Sequence, residues 1–399
     1  MDSANGKGVY YGYIIVAAIF IFMAAAFGVN YNFGVFFDHI QAAFGWNRGT
    51  ISGAYAMLTV VSGFLGILAG RLSDRRGPFI VAVSIALTLG IGYILMSTCR
   101  SLGAFYFYHG IILAAGVGAG WPGLLPQIGY YFTKNRGLMI GFASAGIGAS
   151  SFFVAPLTRV VIENISWRTT YLIQGIVILV VLGAVSLVFK NATKYRLTAP
   201  QGQVGPPPGL FFHEALRHRD FYIFCMVFFL FGYNLHSVMI HVIPFTLDMG
   251  QTKHAVRILV FIGGISLITR IMAAWLSDHI GAKTTLLLEL TLMLLAFVVL
   301  KFPFGIFQLY LFGAFFGLAY GGGMALVAIA AGDYFGKRSG GTILGGITSM
   351  YTVGGALGPV ITGMLFDMHG NYNLAFSICL VLAALSLALC FKLGQPDFK

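Results

Sequence analysis

Apolar and polar residues fall along this chain in long blocks. Twelve stretches are almost continuously apolar, at about 10–37, 49–70, 78–98, 103–129, 137–161, 168–189, 220–247, 255–277, 284–301, 305–332, 341–366 and 373–394. About 20 such residues, wound as a helix, cross the ~30 Å hydrocarbon core of a bilayer. Inside lipid every backbone polar group must be satisfied within the segment, so helices are the elements these stretches predict. The first stretch is too long, and too poor in a small-residue cleavage site, for a signal peptide. The expected fold class is an all-α integral membrane protein with twelve transmembrane helices.

One long polar segment, Lys190–Asp220, interrupts the pattern between the sixth and seventh stretches. It contains Gln201-Gly-Gln-Val-Gly-Pro-Pro-Pro208, the composition of a linker, and then Leu210–Arg219, which could form a short surface helix. The predicted organisation is a six-helix bundle at 1–189, a cytoplasmic linker at 190–219 and a second six-helix bundle at 220–399. The two blocks repeat one another at a nearly constant offset. Gly70-Arg-Leu-Ser-Asp74-Arg-Arg-Gly77 returns as Ala274-Trp-Leu-Ser-Asp278-His-Ile-Gly281. Tyr131-Phe132-Thr133-Lys134 returns as Tyr334-Phe335-Gly336-Lys337, and Phe27-Gly28-Val29-Asn30 as Phe231-Gly232-Tyr233-Asn234. Paired repeats around a midplane site are the plan of secondary transporters, which rock one half against the other.

Composition agrees: 58% of residues are hydrophobic and 9% charged, against about 25% charged in soluble domains. The formal charge of +12 invites a nucleic-acid reading, which its distribution removes. With the N-terminus inside, cytoplasmic segments hold 16 of the 24 Lys and Arg residues and outer segments seven, Arg270 being the remaining one. That asymmetry orients a multi-pass protein of the cell (inner) membrane with both termini cytoplasmic. Cys99, Cys225, Cys379 and Cys390 show no CxxC spacing, so neither a disulfide framework nor a metal site is expected. No cofactor is expected either.

Arg270 stands inside Ile258–Leu276, an apolar run long enough to span, where a guanidinium costs roughly 2.5–3.5 kcal/mol on insertion scales. Gly263, Ser266 and Ala274 share its helix face and leave room for a ligand. A planar cation with paired donors matches a carboxylate. The competing readings are snorkelling to the inner surface and a structural pair with the buried acid Glu289. In the seventh helix Asn234 and His241 lie seven apart and share a face; His241 suits proton coupling because imidazole titrates near neutrality, unless it is a neutral ring bonded to a helix carbonyl. Asp248, at the outer end, is a second coupling candidate. Tyr31 and Asn32 of the first helix and Tyr320, beside Gly321-Gly322-Gly323, offer substrate contacts or helix ties. His109 and Glu289 are structural by default.

The Gly70–Gly77 loop, with twelve helices, a duplication and a central linker, resembles the helix 2–3 signature of the major facilitator superfamily. The resemblance implies a cytoplasmic gate at Asp74 and Arg75, with Asp278 in the second copy. Physically, an Asp near helix N-termini is favoured by the dipole and can latch a neighbouring Arg.

A closer resemblance lies at Tyr131-Phe-Thr-Lys-Asn-Arg-Gly-Leu-Met-Ile-Gly-Phe-Ala-Ser-Ala-Gly146, which is similar to the fifth-helix signature of the monocarboxylate transporter family. Arg270 occupies the place of that family's substrate-binding arginine. The resemblance implies proton-linked symport of L-lactate, pyruvate or similar monocarboxylates by a monomer. Three departures stand out: Val9-Tyr10-Tyr11-Gly12-Tyr13 replaces the family's first-helix opening, Tyr31 or a neighbour its lysine, and Ser266 its aspartate four residues before the arginine. The last two bear on proton handling, which gives His241 more weight. Oxalate:formate antiporters resemble the chain in the same places, but use a second cation in the eleventh helix, and Gly340–Asp367 contains no Lys or Arg. One fixed cation balances one carboxylate, so the expected substrates are a monocarboxylate anion and a proton, with an organic-anion exchanger as the alternative. A drug or lipid exporter would not need Arg270. An intramembrane enzyme would need a nucleophile and base, or paired acids, which the helices do not supply.

Overall fold

The computed structural model describes residues 3–46, 48–132, 134–198, 208–302 and 305–395. Among these, all regular structure is helical apart from one isolated β-bridge between Gly209 and Gly336. We number the membrane-spanning helices in chain order: α1 Ser3–Phe44, α2 Arg48–Arg76, α3 Pro78–Ser97, α4 Leu102–Tyr130, α5 within 136–164, α6 Trp167–Thr198, α7 Arg219–Asp248, α8 Ala255–Ile280, α9 Ala282–Val299, α10 Gly305–Phe335, α11 Gly340–His369 and α12 Asn373–Phe391.

Eleven helices among the described residues are long and apolar enough to cross a membrane on their own. The twelfth predicted span is α5, and it is broken. It runs as Arg136–Ser144, turns at Ala145, resumes at Gly146–Ala149, widens to a π-helical turn at Ser150–Val154 and ends as Ala155–Asn164. α4 also carries a π-helical turn, Tyr108–Leu113, and closes in a 3₁₀ segment, Leu125–Tyr130, after an internal Pro122. Pro122 removes one backbone donor from the helix before that segment, and Pro126 opens the segment itself, where a missing N–H is tolerated.

Two boundaries differ from expectation. α6 continues to Thr198, well into the segment read as linker. Lys, Ala and Arg are good helix formers, so polarity there marks the end of the apolar run and not of the helix. The expected surface helix is a single turn, Phe212–Ala215. The Pro-rich part of the linker up to Pro207 lies outside the described residues.

The chain divides into two compact units. The first comprises Met1–Thr133, Phe142–Phe212 and Phe335–Ser349; the second comprises Lys134–Gly141, His213–Tyr334 and Met350–Lys399. Each unit thus takes a short segment from the other half of the sequence. In the first, α3 packs along α6, and α2 against α4. Residues 208–210 of the linker run antiparallel to the loop before α11: Leu210 N–H donates to the Phe335 carbonyl at 2.9 Å, and Lys337 N–H to the Pro208 carbonyl at 2.9 Å. In the second, α12 packs on α7 and α9, and α8 on both α7 and α9.

The turns between α2 and α3 and between α8 and α9 are built alike. Gly77 and Gly281, equivalent positions of the two repeats, have φ of 84° and 88°. That left-handed conformation lets consecutive helices reverse in one residue, and only glycine adopts it without strain. Pro78, locked at a helical φ, opens α3 directly afterwards.

Candidate functional site

The second unit holds most of the predicted site residues. Arg270, in the middle of α8, is 2% exposed. Its guanidinium carbon lies 5.8 Å from the centre of the Tyr320 ring of α10, a cation–π distance. It also acts electrostatically on Glu289 of α9. Snorkelling is therefore not what the side chain does: it is held within the unit between an aromatic face and an acid.

Glu289 is 3% exposed, and neither carboxyl oxygen has a hydrogen-bond partner among the described residues. Its room comes from α10. A Cβ built on Gly322 would stand 1.2 Å from Glu289 Oε1, so the carboxyl occupies the space a side chain at 322 would need. Gly322, in the Gly321–Gly323 run, lets an acid lie against helix backbone.

Asn234 of α7 is fully buried, and neither its amide nitrogen nor its oxygen has a partner among the described residues. Buried amides are normally satisfied, which sets this one apart. His241, two turns further on, is engaged at both ring nitrogens. Nε2 lies 3.0 Å from the Pro359 carbonyl oxygen, and Nδ1 lies 3.1 Å from the Tyr372 hydroxyl. A carbonyl can only accept, so Nε2–H is the donor to Pro359, and Nδ1 shares the second hydrogen bond with the phenol. Burial, then the Asp248 and Asp367 carboxylates, push the Tyr372 phenol up from its ordinary range, which keeps it a donor. Asp248 itself is exposed at the end of α7.

In the first unit Asn32 is part of a closed network. Its amide nitrogen donates to the Tyr93 hydroxyl and to Gln174 Oε1, each at 3.5 Å. Its oxygen accepts from the Thr158 hydroxyl at 3.1 Å, and Gln174 Nε2 donates to that hydroxyl at 2.6 Å. The four residues come from α1, α3, α5 and α6, so the cluster ties four helices. The Tyr31 side chain lies outside the described residues.

The two loop aspartates do the same thing in different units. In the first, Asp74 accepts from the N–H groups of Gly341 and Thr342 at 3.0 and 2.8 Å, and from the Thr342 hydroxyl at 2.7 Å. In the second, Asp278 accepts from the N–H groups of Gly137 and Leu138 at 2.7 and 2.9 Å. The two pairs of donors are related by the same repeat that relates the aspartates. Each carboxylate satisfies orphan donors in the first turn of α11 or α5 and meets the positive end of that helix. Beside Asp278, Arg136 donates to Asp333 at 3.2 Å in a largely buried ion pair. Arg75 is exposed at the end of α2. Sequence reasoning named both aspartates and missed their partners.

The model of the Major Facilitator Superfamily matches residues 15–300 and 222–398 of the chain. Monocarboxylate transporter 13 of Bos taurus is 27% identical over 378 residues, covering 92% of this chain and 86% of the relative. Monocarboxylate transporter 12 of Mus musculus is 24% identical, covering 92% and 82%. YcxA of Bacillus subtilis (strain 168), described as an uncharacterized MFS-type transporter, is 23% identical, covering 94% of each chain. Among solved structures, the transporter FucP in its outward conformation matches with a TM-score of 0.72 at 15% identity, covering 96% and 98%. The human organic anion transporter MFSD10 (TETRAN) matches with a TM-score of 0.73 at 14% identity, covering 95% and 99%.

Proposed function

The chain belongs to the major facilitator superfamily, a family of multi-pass membrane transporters and not of enzymes, and on that premise we propose that it carries a short monocarboxylate such as L-lactate or pyruvate together with a proton. The observation that carries this reading is Arg270, a guanidinium 2% exposed in the middle of an apolar helix. Such a charge is costly in a membrane and marks a functional site by default. Its paired donors match a carboxylate, and the Tyr320 face beside it suits a small organic anion. Asn234, on a helix packed against α8, adds an unsatisfied amide for a carbonyl or hydroxyl of the ligand. Relatives named as monocarboxylate transporters at 24% and 27% identity support the substrate class. In this reading His241 ties α7 to α11, Asp74 and Asp278 hold helix ends, and both termini face the cytoplasm across the inner membrane.

The test is uptake of radiolabelled L-lactate into proteoliposomes under an imposed inward proton gradient, with and without an uncoupler. Wild type is expected to accumulate lactate until the uncoupler is added, and Arg270→Ala to stay at the level of protein-free liposomes. Uptake that appears only with a trapped counter-anion would replace symport by exchange. Wild-type uptake by Arg270→Ala would remove the substrate site from α8.

A further inference from the structure

The acid that Arg270 faces has no structural task that its surroundings explain. Glu289 caps no helix, receives no hydrogen bond among the described residues, and is almost fully buried. Carboxylates with a structural task look different: Asp74 and Asp278, both half-buried, are each met by at least two backbone donors. We propose that Glu289 is the proton-binding group of the transport cycle, and that Arg270 is shared between Glu289 and the substrate carboxylate. The proposal rests on the symport reading above and assigns its proton.

The argument is one of charge neutrality. α8, α10 and α12 surround this part of α9. Away from the helix ends their titratable side chains are Arg270 on α8, Tyr310 and Tyr320 on α10 and Cys379 on α12, and the charge acting on Glu289 is that of Arg270. With the site empty, an ionised Glu289 and the guanidinium sum to zero. With a monocarboxylate on Arg270 and a proton on Glu289, the sum is again zero. The half-loaded states carry one uncompensated charge in a low-dielectric interior: positive with the proton alone, negative with the anion alone. Such a charge is strongly disfavoured even after relaxation. Substrate and proton are thus admitted together, one for one. The chemistry is a single protonation, carboxylate plus proton giving carboxylic acid, with no other bond made or broken. Gly322 completes the arrangement: without a Cβ it allows the neutral acid to stay where the ionised one lay.

The experiment compares wild type, Glu289→Gln and Glu289→Asp in proteoliposomes, using L-lactate as the probe. Two rates are read: accumulation driven by a proton gradient, and lactate–lactate exchange at equal pH on both sides, across pH values around neutrality. Glu289→Gln is expected to lose driven accumulation, while its exchange continues and no longer responds to pH. Glu289→Asp is expected to keep both the driven uptake and the pH response. Infrared difference spectra of the purified protein, with and without L-lactate, guard against a folding defect in the Gln variant. Wild type should gain the carbonyl stretch of a protonated carboxylic acid on binding, and Glu289→Asp should shift that band. Driven accumulation by Glu289→Gln at the wild-type level, or no such band in wild type, would overturn the assignment. Absence of driven uptake in wild type itself would instead sink the symport reading.

Discussion

Asn32 and Arg270 are both buried polar side chains in the middle of apolar helices, and their surroundings differ in kind. Around Asn32, Tyr93, Thr158 and Gln174 close a neutral network in which the Asn32 amide gives and receives hydrogen bonds. Around Arg270 the neighbours are an aromatic face and an acid whose oxygens have no hydrogen-bond partner among the described residues. A satisfied neutral cluster gains little from a ligand and rigidifies what it joins. A buried charged cluster with an unsatisfied member carries a desolvation cost that nothing in its own surroundings offsets in full. The same contrast holds among the acids. Asp74 and Asp278 are held by backbone donors at helix termini, whereas the charge acting on Glu289 is that of a side chain, Arg270.

Substitutions can break or sharpen this contrast. The largest effect is expected from Arg270→Ala, which should abolish lactate uptake while the purified protein remains monodisperse. Gly322→Ala comes next. It inserts a methyl where Glu289 Oε1 lies, and overpacking of this sort costs about 1–3 kcal/mol. Thermal unfolding in detergent should fall by several degrees, and adding Glu289→Ala should recover only part of that loss, because the Ala273 Cβ stands 2.6 Å from the same point, and should not restore gradient-driven uptake. Asp74→Ala and Asp278→Ala remove helix caps, worth about 1–2 kcal/mol each. Each should lower the melting temperature while leaving the pH response of exchange in place, and their effects should add because they share no partners. The smallest effect is expected from Thr158→Val, which deletes one hydroxyl of the Asn32 network at a cost of about 1 kcal/mol. A drop in melting temperature with an unchanged KM for lactate would mark that cluster as structural, and a raised KM would return Asn32 to the substrate site.

Much of the fold was legible because a bilayer demands long apolar runs, and those runs are visible. The interruption of α5 was not. Its residues between Ala145 and Val154 are as apolar or small as those of an unbroken span, and nothing in their types announces a π-helical turn. The loop aspartates were legible through the repeat. Their partners were not, because Gly137, Leu138, Gly341 and Thr342 contribute backbone N–H groups that leave no side-chain signature. The offset between the repeats could have paired them. Asn32 and Asn234 look alike in the sequence, as amides in mid-membrane. Only the placement of neighbouring helices shows that one is satisfied and the other is not. Glu289 was visible as a lone acid opposite Arg270, but the space that accommodates it belongs to a glycine on another helix.

That shared space couples a position on α9 to one on α10, with a whole loop between them in the sequence. A side chain at 322 and a carboxylate at 289 exclude one another, so a side chain can arise at 322 only where the acid has gone and the Ala273 Cβ, 2.6 Å from the same point, has given way. Among related chains, those with alanine or serine at the position of Gly322 should have given up the acid at the position of Glu289. Covariation of this pair, scored across an alignment, would reveal which relatives kept the buried acid before any of them is purified.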